Sequence, residues 1–311
     1  MNVLITGGAG YIGSVLVPLF LSKGHTVTVL DNFRTGYRTS LLSTLSNYPL
    51  LTIVEGDARN ANTLREALIG QAVVIPLAAV VGAPACDHDP ITARMTNRDA
   101  IEILLAFRES NQKIIWPCSN SGYGVGEKGI FCTEETPMRP VSLYGQLKVE
   151  TESLLLAEKN TVSLRLATTF GVSPSMCWNL LVNDFVYRAV NDHSVVLYEH
   201  YFMRNYIHVR DVARAFLHVL EHFEQMKGQA YNVGLSTANL SKLELCKEIQ
   251  KQVPNFDFAE SAIGHDPDQR NYVVSNAKIE GTGFLPLVSL QEGIAELIKA
   301  SKIVLRERRD Y

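Results

Sequence analysis

Tyr144 and Lys148 stand four residues apart in Tyr144-Gly-Gln-Leu-Lys148. On a helix that spacing puts both side chains on one face. A phenol with an ordinary pKa near ~10 is a poor base at neutral pH. An ammonium held beside it stabilises the phenolate, so the pair can draw a proton from an alcohol. If a hydride leaves the same carbon, the alcohol becomes a ketone. Ser119, in Cys118-Ser119-Asn120-Ser121-Gly122-Tyr123-Gly124, offers a hydroxyl that can hold the reacting oxygen against the tyrosine. Taken singly, none of these is specific: a Tyr and a Lys four apart are a common accident, and a Ser/Asn/Gly run reads as a turn.

A hydride needs an acceptor, and the N-terminus supplies the place for one. Val3-Leu4-Ile5-Thr6-Gly7-Gly8-Ala9-Gly10-Tyr11-Ile12-Gly13 is an apolar strand running into a glycine-rich turn. Gly7, Gly10 and Gly13 allow a tight turn and close approach of backbone to a pyrophosphate. Tyr11 and Ile12 lie at the helix start, where amides and partial positive charge favour an anion. Asp31 follows Gly13 by eighteen positions and closes the next strand, with Asn32 beside it. An acid there accepts from adenosine ribose hydroxyls and repels a 2′-phosphate, which favours NAD over NADP. The alternative is a loop aspartate bonded to its own turn, and Arg34 and Arg38 nearby are able to receive a 2′-phosphate. Asp57, followed by Ala58, can accept from the adenine amino group or cap the next helix. Leu77-Ala78-Ala79 puts small side chains where a cofactor passes, or where a sheet packs.

These groups need a scaffold that brings strand ends together. Strand patterns at 3–6, 26–30, 51–55, 72–77, 114–117 and 162–166 alternate with helical patterns at 15–22, 62–68, 96–109 and 142–159. Alternation of this kind predicts parallel crossovers and a Rossmann-type α/β fold with a doubly wound parallel sheet. Pro18 predicts a kink in the first helix. Beyond Gly171 the pattern loosens into helices at 180–191, 209–223, 241–252 and 290–301 with short strands between. The expected division is a dinucleotide-binding domain over 1–171, with a segment near 204–213 returning to the main sheet. Residues 172–311 then form mainly a smaller C-terminal α/β lobe for substrate.

The composition agrees with an enzyme of this size. A hydrophobic share of 46% with 20% charged residues suits a soluble globular protein. The net charge of −3 offers nothing to nucleic acid or an anionic membrane. Five scattered cysteines without a Cys-x-x-Cys spacing argue against a disulfide framework and against a zinc site, and predict a reducing cytoplasm. A strand at the very N-terminus leaves no room for a signal peptide, and the apolar runs are too short to span a bilayer.

The glycine cradle, Ser119, Tyr144 and Lys148 together resemble the extended short-chain dehydrogenase/reductase family, in its NAD-dependent epimerase/dehydratase branch that handles nucleotide sugars. Arg204-Asn-Tyr-Ile-His208-Val-Arg-Asp211-Val-Ala and Tyr231-Asn232-Val-Gly234 are similar to further signatures of that family. The resemblance implies NAD in the N-terminal domain, a nucleotide-diphosphate sugar under the C-terminal lobe, and a homodimer joined through a helix bundle. It also implies that Arg204 and Arg270 bind the substrate diphosphate, as two guanidiniums can through charge-assisted, bidentate contacts. Asn179, Asn183 and Thr168 can line the sugar pocket or serve helix ends and strand packing. His208 reads as a structural hydrogen-bonding residue.

Asn120 and Ser121 narrow the chemistry. Sugar-nucleotide 4,6-dehydratases carry an Asp-Glu pair there, and UDP-glucuronate decarboxylases a glutamate at the second position. Neither Asn nor Ser does that acid-base work, which leaves oxidation at C4. Four segments are similar to bacterial GDP-D-glycero-α-D-manno-heptose 4-dehydrogenases of capsule biosynthesis: residues 76–84, 119–128, 180–185 and 266–276. Pro76 and Thr168-Thr169-Phe170-Gly171 depart from the pattern of UDP-galactose 4-epimerases. A redox-neutral 4-epimerase is the second expectation. A non-catalytic NAD-binding regulator is the third; its kind typically loses the tyrosine or lysine retained here.

Overall fold

In a computed structural model that describes residues 1–34, 38–261, 263 and 268–303, seven strands form one parallel sheet. They are β1 (Asn2–Thr6), β2 (Thr26–Asp31), β3 (Leu51–Glu55), β4 (Val73–Pro76), β5 (Lys113–Ser119), β6 (Thr161–Leu166) and β7 (Ala230–Val233). Their order across the sheet is β7-β6-β5-β4-β1-β2-β3. The order reverses between β1 and β4, and a crevice opens there beyond the carboxyl ends of the strands. This is the expected Rossmann-type architecture. The central strands are apolar on both faces because helices cover both; Val73, Val74 and Ile75 of β4 are fully buried.

One face of the sheet packs on the helix Gly13–Ser22 and on Val209–Glu221, which share a core with Val3, Ile5, Val27 and Ile115. The other face buries Leu4, Leu30, Ile114 and Trp116 against Ala61–Leu68 and Ala100–Phe107. Gly13–Ser22 is assigned as one helix with Pro18 inside it. A second core gathers Phe170, Trp178, Val182, Leu245 and Ile294 between the helices Leu181–Asn191, Lys242–Gln250 and Leu290–Ile303. Among the described residues, no helix is long and apolar enough to cross a membrane.

Two expectations are corrected. The strand at Met203–His208 does not join the main sheet. It pairs with Thr168–Phe170 and Asn239–Ser241 in a separate three-stranded sheet, and Ala230–Val233 is the strand that returns. Only the helix after it, Val209–Glu221, packs back on the main core. The helix expected over 96–109 is also interrupted. Met95–Asp99 is a single π turn, with regular α-helix only from Ala100 to Phe107. The cause is tertiary: the Asn97 side chain pairs with both the N–H and the carbonyl of Val80, each at 2.8 Å, and the Thr151 hydroxyl takes the Asn97 carbonyl at 3.0 Å.

Candidate active site

The glycine turn links β1 to the helix Gly13–Ser22 beneath the crevice. Gly7 has φ +69°, and a Cβ there would lie 2.6 Å from the Ala78 nitrogen. A Cβ on Gly13 would meet Gly8 at 2.6 Å. A side chain at either position would collide with backbone, so only glycine lets the turn pack this tightly under the helix N-terminus, as a pyrophosphate cradle requires. Gly10 donates its N–H to the Gly7 carbonyl at 3.1 Å, and Ile12 is the helix N-cap. Leu77, Ala78 and Ala79 run alongside, with the Leu77 N–H on the Thr6 carbonyl at 2.9 Å.

Asp31 ends β2 and is buried, with Oδ2 accepting the Ala9 N–H at 2.9 Å and Oδ1 that of Phe33 at 2.8 Å. Its carboxylate is thus fixed against the cradle. Asn32 and Asp57 come together at 3.4 Å on the same rim, next to Ala58. Arg59 forks onto Asp57 at 3.0 and 2.7 Å and holds that carboxyl down at about 2. Asp57 does not cap the next helix; Asn60 does, by accepting from Asn62 and Thr63. Arg38 is turned away onto Glu55 at 3.0 and 2.6 Å.

Ser119 ends β5, and its hydroxyl oxygen caps the single turn Asn120–Tyr123 by accepting the Ser121 N–H at 3.1 Å. Tyr144 and Lys148 share one face of the helix Leu143–Leu156. Burial pushes the Tyr144 phenol above its ordinary value; the positive charge of Arg270 and a hydrogen bond with Ser119 oppose that rise. Lys148 is fully enclosed. Its ammonium donates to the Pro117 carbonyl at 2.8 Å and sits 4.2 Å from the Trp116 ring and 5.9 Å from the Tyr144 ring. Burial lowers its pKa to about 8. A second cation, Arg270, 126 residues along the chain, also lowers the phenol's pKa, and the local spacing showed no sign of it. The Lys148 ammonium is drawn to the Pro117 carbonyl, and two of its three N–H groups remain for other partners.

Asn120 and Ser121 are buried, and neither the Asn120 amide nor the Ser121 hydroxyl has a hydrogen-bond partner. Orphaned polar atoms of this kind are rare in folded proteins and mark places where a ligand or water belongs. Both side chains are neutral.

Arg204 and Arg270 converge as expected, but on a carboxylate. Arg270 forks onto Asp268 through Nε and Nη2. Arg204 lies 3.6 Å from the same carboxylate and donates to the carbonyls of Met203, Asp268 and Arg270. Burial alone would raise the Asp268 pKa; Arg270 and then Arg204 hold it below the ordinary range.

Asn183 is corrected to a structural role. It is fully buried: its Oδ1 accepts the Gly171 N–H at 3.0 Å, and its Nδ2 donates to the Cys177 carbonyl at 2.9 Å and to Tyr11 Oη at 3.3 Å. Tyr11 in turn donates to the Gly171 carbonyl at 2.7 Å. The two side chains clamp the Gly171 turn, which runs at φ +111°. Thr168 is half-buried at the start of its short strand, and Asn179 is exposed just ahead of Leu181–Asn191. His208 is structural, capping Val209–Glu221 by accepting from the Arg210 N–H at 3.2 Å.

Several contributors had no local signal. The Ser40 hydroxyl donates to the Ala9 carbonyl at 2.9 Å, and Ser14 and Ser173 bond each other at 2.8 Å across the cradle. Arg59, two residues past Asp57, was readable only as a local ion pair. Asp266 and Pro267, part of the segment that suggested Arg270, lie outside the described residues.

The NAD dependent epimerase/dehydratase family matches residues 3–234. The low-salt glycan biosynthesis protein Agl12 of Haloferax volcanii is 29% identical over 310 residues, which covers 94% of this chain and 96% of the relative. A dTDP-glucose 4,6-dehydratase of Streptomyces griseus is 28% identical over 314 residues, covering 96% and 93%. The structure of a UDP-glucose 4-epimerase of Thermus thermophilus in complex with NAD aligns with a TM-score of 0.83 at 26% identity, over 98% of this chain and all of that one. NAD is the cofactor that the cradle takes. The family match spans the cradle, Ser119, Tyr144, Lys148 and Arg204, and the chain belongs to the NAD dependent epimerase/dehydratase family.

Proposed function

We propose that this protein oxidises the C4 hydroxyl of a nucleotide-diphosphate sugar to a ketone. GDP-D-glycero-α-D-manno-heptose or a related GDP-sugar, used in surface polysaccharide biosynthesis, is the first substrate to test. One observation carries this reading: Tyr144 and Lys148 share one helix face, the Lys148 ammonium bonds the Pro117 carbonyl two residues ahead of Ser119, and only the neutral Asn120 and Ser121 follow Ser119. The site has a proton acceptor for an alcohol. At these two positions it has no acid or base to eliminate water or assist decarboxylation.

When bound, NAD accepts the hydride that leaves C4. The chain's own residues handle the rest. Ser119 holds the C4 oxygen, Tyr144 Oη takes its proton, and the nearby Arg270 favours the phenolate. Lys148 keeps two donors for the cofactor's hydroxyls. The unpartnered Asn120 amide and Ser121 hydroxyl receive sugar hydroxyls, with Thr168 and Asn179 at the pocket's edge. Arg204 and Arg270 take the diphosphate. Asp31, Asn32 and Asp57 receive the adenosine half. Residues 1–171 hold the cofactor and 172–311 mainly close over the sugar.

The test is incubation with NAD and a panel of GDP-, UDP- and dTDP-sugars, followed by mass and NMR analysis of the product. A 4-keto sugar two hydrogens lighter supports oxidation. A C4 isomer of equal mass supports the second reading, a 4-epimerase, with which the likeness to the Thermus thermophilus enzyme is compatible. Tyr144→Phe should lower kcat by roughly 10²–10⁴ and leave NADH binding intact; undiminished turnover would sink both readings, and a parent that binds NADH but turns over no sugar in the panel would leave a non-catalytic NAD-binding protein.

We infer two further features. Ile91, Met95 and Phe107 are exposed along one helical run, which supports a homodimer packed through that run and Leu143–Leu156. All five cysteines are free, which supports residence in the reducing cytoplasm.

A further inference from the structure

Ser119 and Tyr144 must meet on one oxygen, yet they sit on different elements, the end of β5 and a helix. Behind them lies a buried ion pair that touches both elements. Glu152 stands eight residues past Tyr144 and four past Lys148, on the same helix. Arg165 comes from β6. Its Nε lies 3.0 and 3.1 Å from the two Glu152 oxygens, and its Nη2 lies 2.6 Å from Oε1. Ser163 donates to the same carboxylate at 2.6 Å. The remaining nitrogen, Nη1, turns the other way. It donates to the Tyr123 hydroxyl at 3.1 Å and to the Glu134 carbonyl at 3.0 Å. Tyr123 lies one turn beyond Ser119 and is 2.7 Å from Asn232 Oδ1 on β7. Arg165 and Glu152 are both less than a tenth exposed.

We propose that Arg165 is a positioning residue that sets the spacing between Ser119 and Tyr144, by tying Glu152 of the Tyr144 helix to Tyr123 of the Ser119 turn. A buried ion pair is often no more stable than apolar side chains of the same volume, because both charges lose their hydration. Stability alone therefore gives little reason to keep one here. A rigid guanidinium fork between two elements does give geometry, since its donors lie in one plane at fixed angles. The proposal rests on the reading that Ser119 and Tyr144 share a substrate oxygen.

The test uses three variants of the full chain: Tyr123→Phe, the double variant Glu152→Leu/Arg165→Met, and Tyr144→Phe as reference. Tyr123→Phe removes the arm to the Ser119 turn together with the hydroxyl's bonds to Asn232 Oδ1 and the Thr133 carbonyl, and leaves the Glu152–Arg165 pair in place. The double variant removes the tie without leaving a lone buried charge, so it covers the case in which Tyr123→Phe folds poorly. Melting temperature and NADH affinity should stay near those of the parent in both. kcat should fall about tenfold to a hundredfold with KM for the sugar nucleotide nearly unchanged, as expected for a small misplacement of reacting groups. The limb of the kcat–pH profile that reports Tyr144 should move to higher pH, because Ser119, which lowers the phenol's pKa, then stands farther from it. Unchanged kcat and pH profile in the folded double variant overturns the proposal. If Tyr144→Phe is also fully active, the functional reading itself has failed; if it is inactive, only the positioning role has.

Discussion

Asp31 accepts the Ala9 amide at 2.9 Å, so the acid that ends β2 is hydrogen-bonded to the turn meant to hold the pyrophosphate. Each carboxylate oxygen has one backbone donor and a second lone pair to spare. The side chain is thus oriented for ribose hydroxyls before any ligand arrives, and its charge faces a 2′-phosphate. Asp31→Ala should weaken NADH binding at least about tenfold, the loss of charge-assisted hydrogen bonds worth roughly 1.5–3 kcal/mol. It should narrow the preference over NADPH and lower the melting temperature, because the Ala9 and Phe33 amides lose their acceptor. Fluorescence titration with both nucleotides checks this; equal affinity losses for the two would refute the discriminating role.

Gly7→Ala should abolish NADH binding. The φ of +69° disfavours any side chain, and the new Cβ would press on the Ala78 nitrogen at 2.6 Å. Gly24→Ala is the control. Its φ is +78° with nothing within 4 Å, so it carries only the backbone cost, about 1–2 kcal/mol. Thermal melts of both variants, alone and with NADH, separate crowding in the cradle from conformational preference.

Lys148 should impose an alkaline limit on cofactor binding. Burial lowers its pKa to about 8, so its ammonium is lost as pH rises through that value. NAD affinity should decline above pH 8, and Lys148→Arg should move the decline to higher pH because guanidinium stays charged. The sign for stability is opposite. Between about 8 and the ~10.4 of an unfolded lysine, the unfolded chain binds more protons, so this group's contribution improves as pH rises. Melts of the parent against Lys148→Met across that window isolate it from the buried thiols.

Arg270→Met should do two separable things. With one guanidinium gone, KM for the sugar nucleotide should rise about tenfold or more, in keeping with charge-assisted hydrogen bonds of roughly 1.5–3 kcal/mol. Removing the charge that most lowers the Tyr144 pKa should also move the Tyr144 limb of kcat to higher pH. Arg204→Met should raise KM with a smaller pH change, since its guanidinium is held on the carbonyls of Met203, Asp268 and Arg270. Steady-state kinetics across pH distinguish the two arginines; an identical pH response in both would contradict the assignment.

The sheet and the cradle were readable because they depend on local pattern. Apolar strands such as 73–76 and glycines spaced by three announce themselves within ten residues. Ala230–Val233 did not, because four residues carry too little periodicity to outweigh the helices around them. The π turn at Met95–Asp99 was unreadable because its causes, Val80 and Thr151, lie far away in sequence. The same holds in the site. Spacing placed Tyr144 beside Lys148 but showed no sign that Arg270 also lowers the phenol's pKa, or that Asp268 lies between the two arginines. Asn183 looked like a sugar contact because nothing nearby in sequence shows that Gly171 and Tyr11 use its amide.

The π turn has one more effect. An extra residue in a helical turn rotates everything beyond it by about 100°. Here that offset lets the Asn97 amide serve Val80 as a neighbouring strand would, and so stiffens the span that follows β4 at the mouth of the crevice. Deleting a single residue from 95–99 would wind the helix evenly, swing the Asn97 side chain off the loop, and leave the span after β4 without its lateral brace.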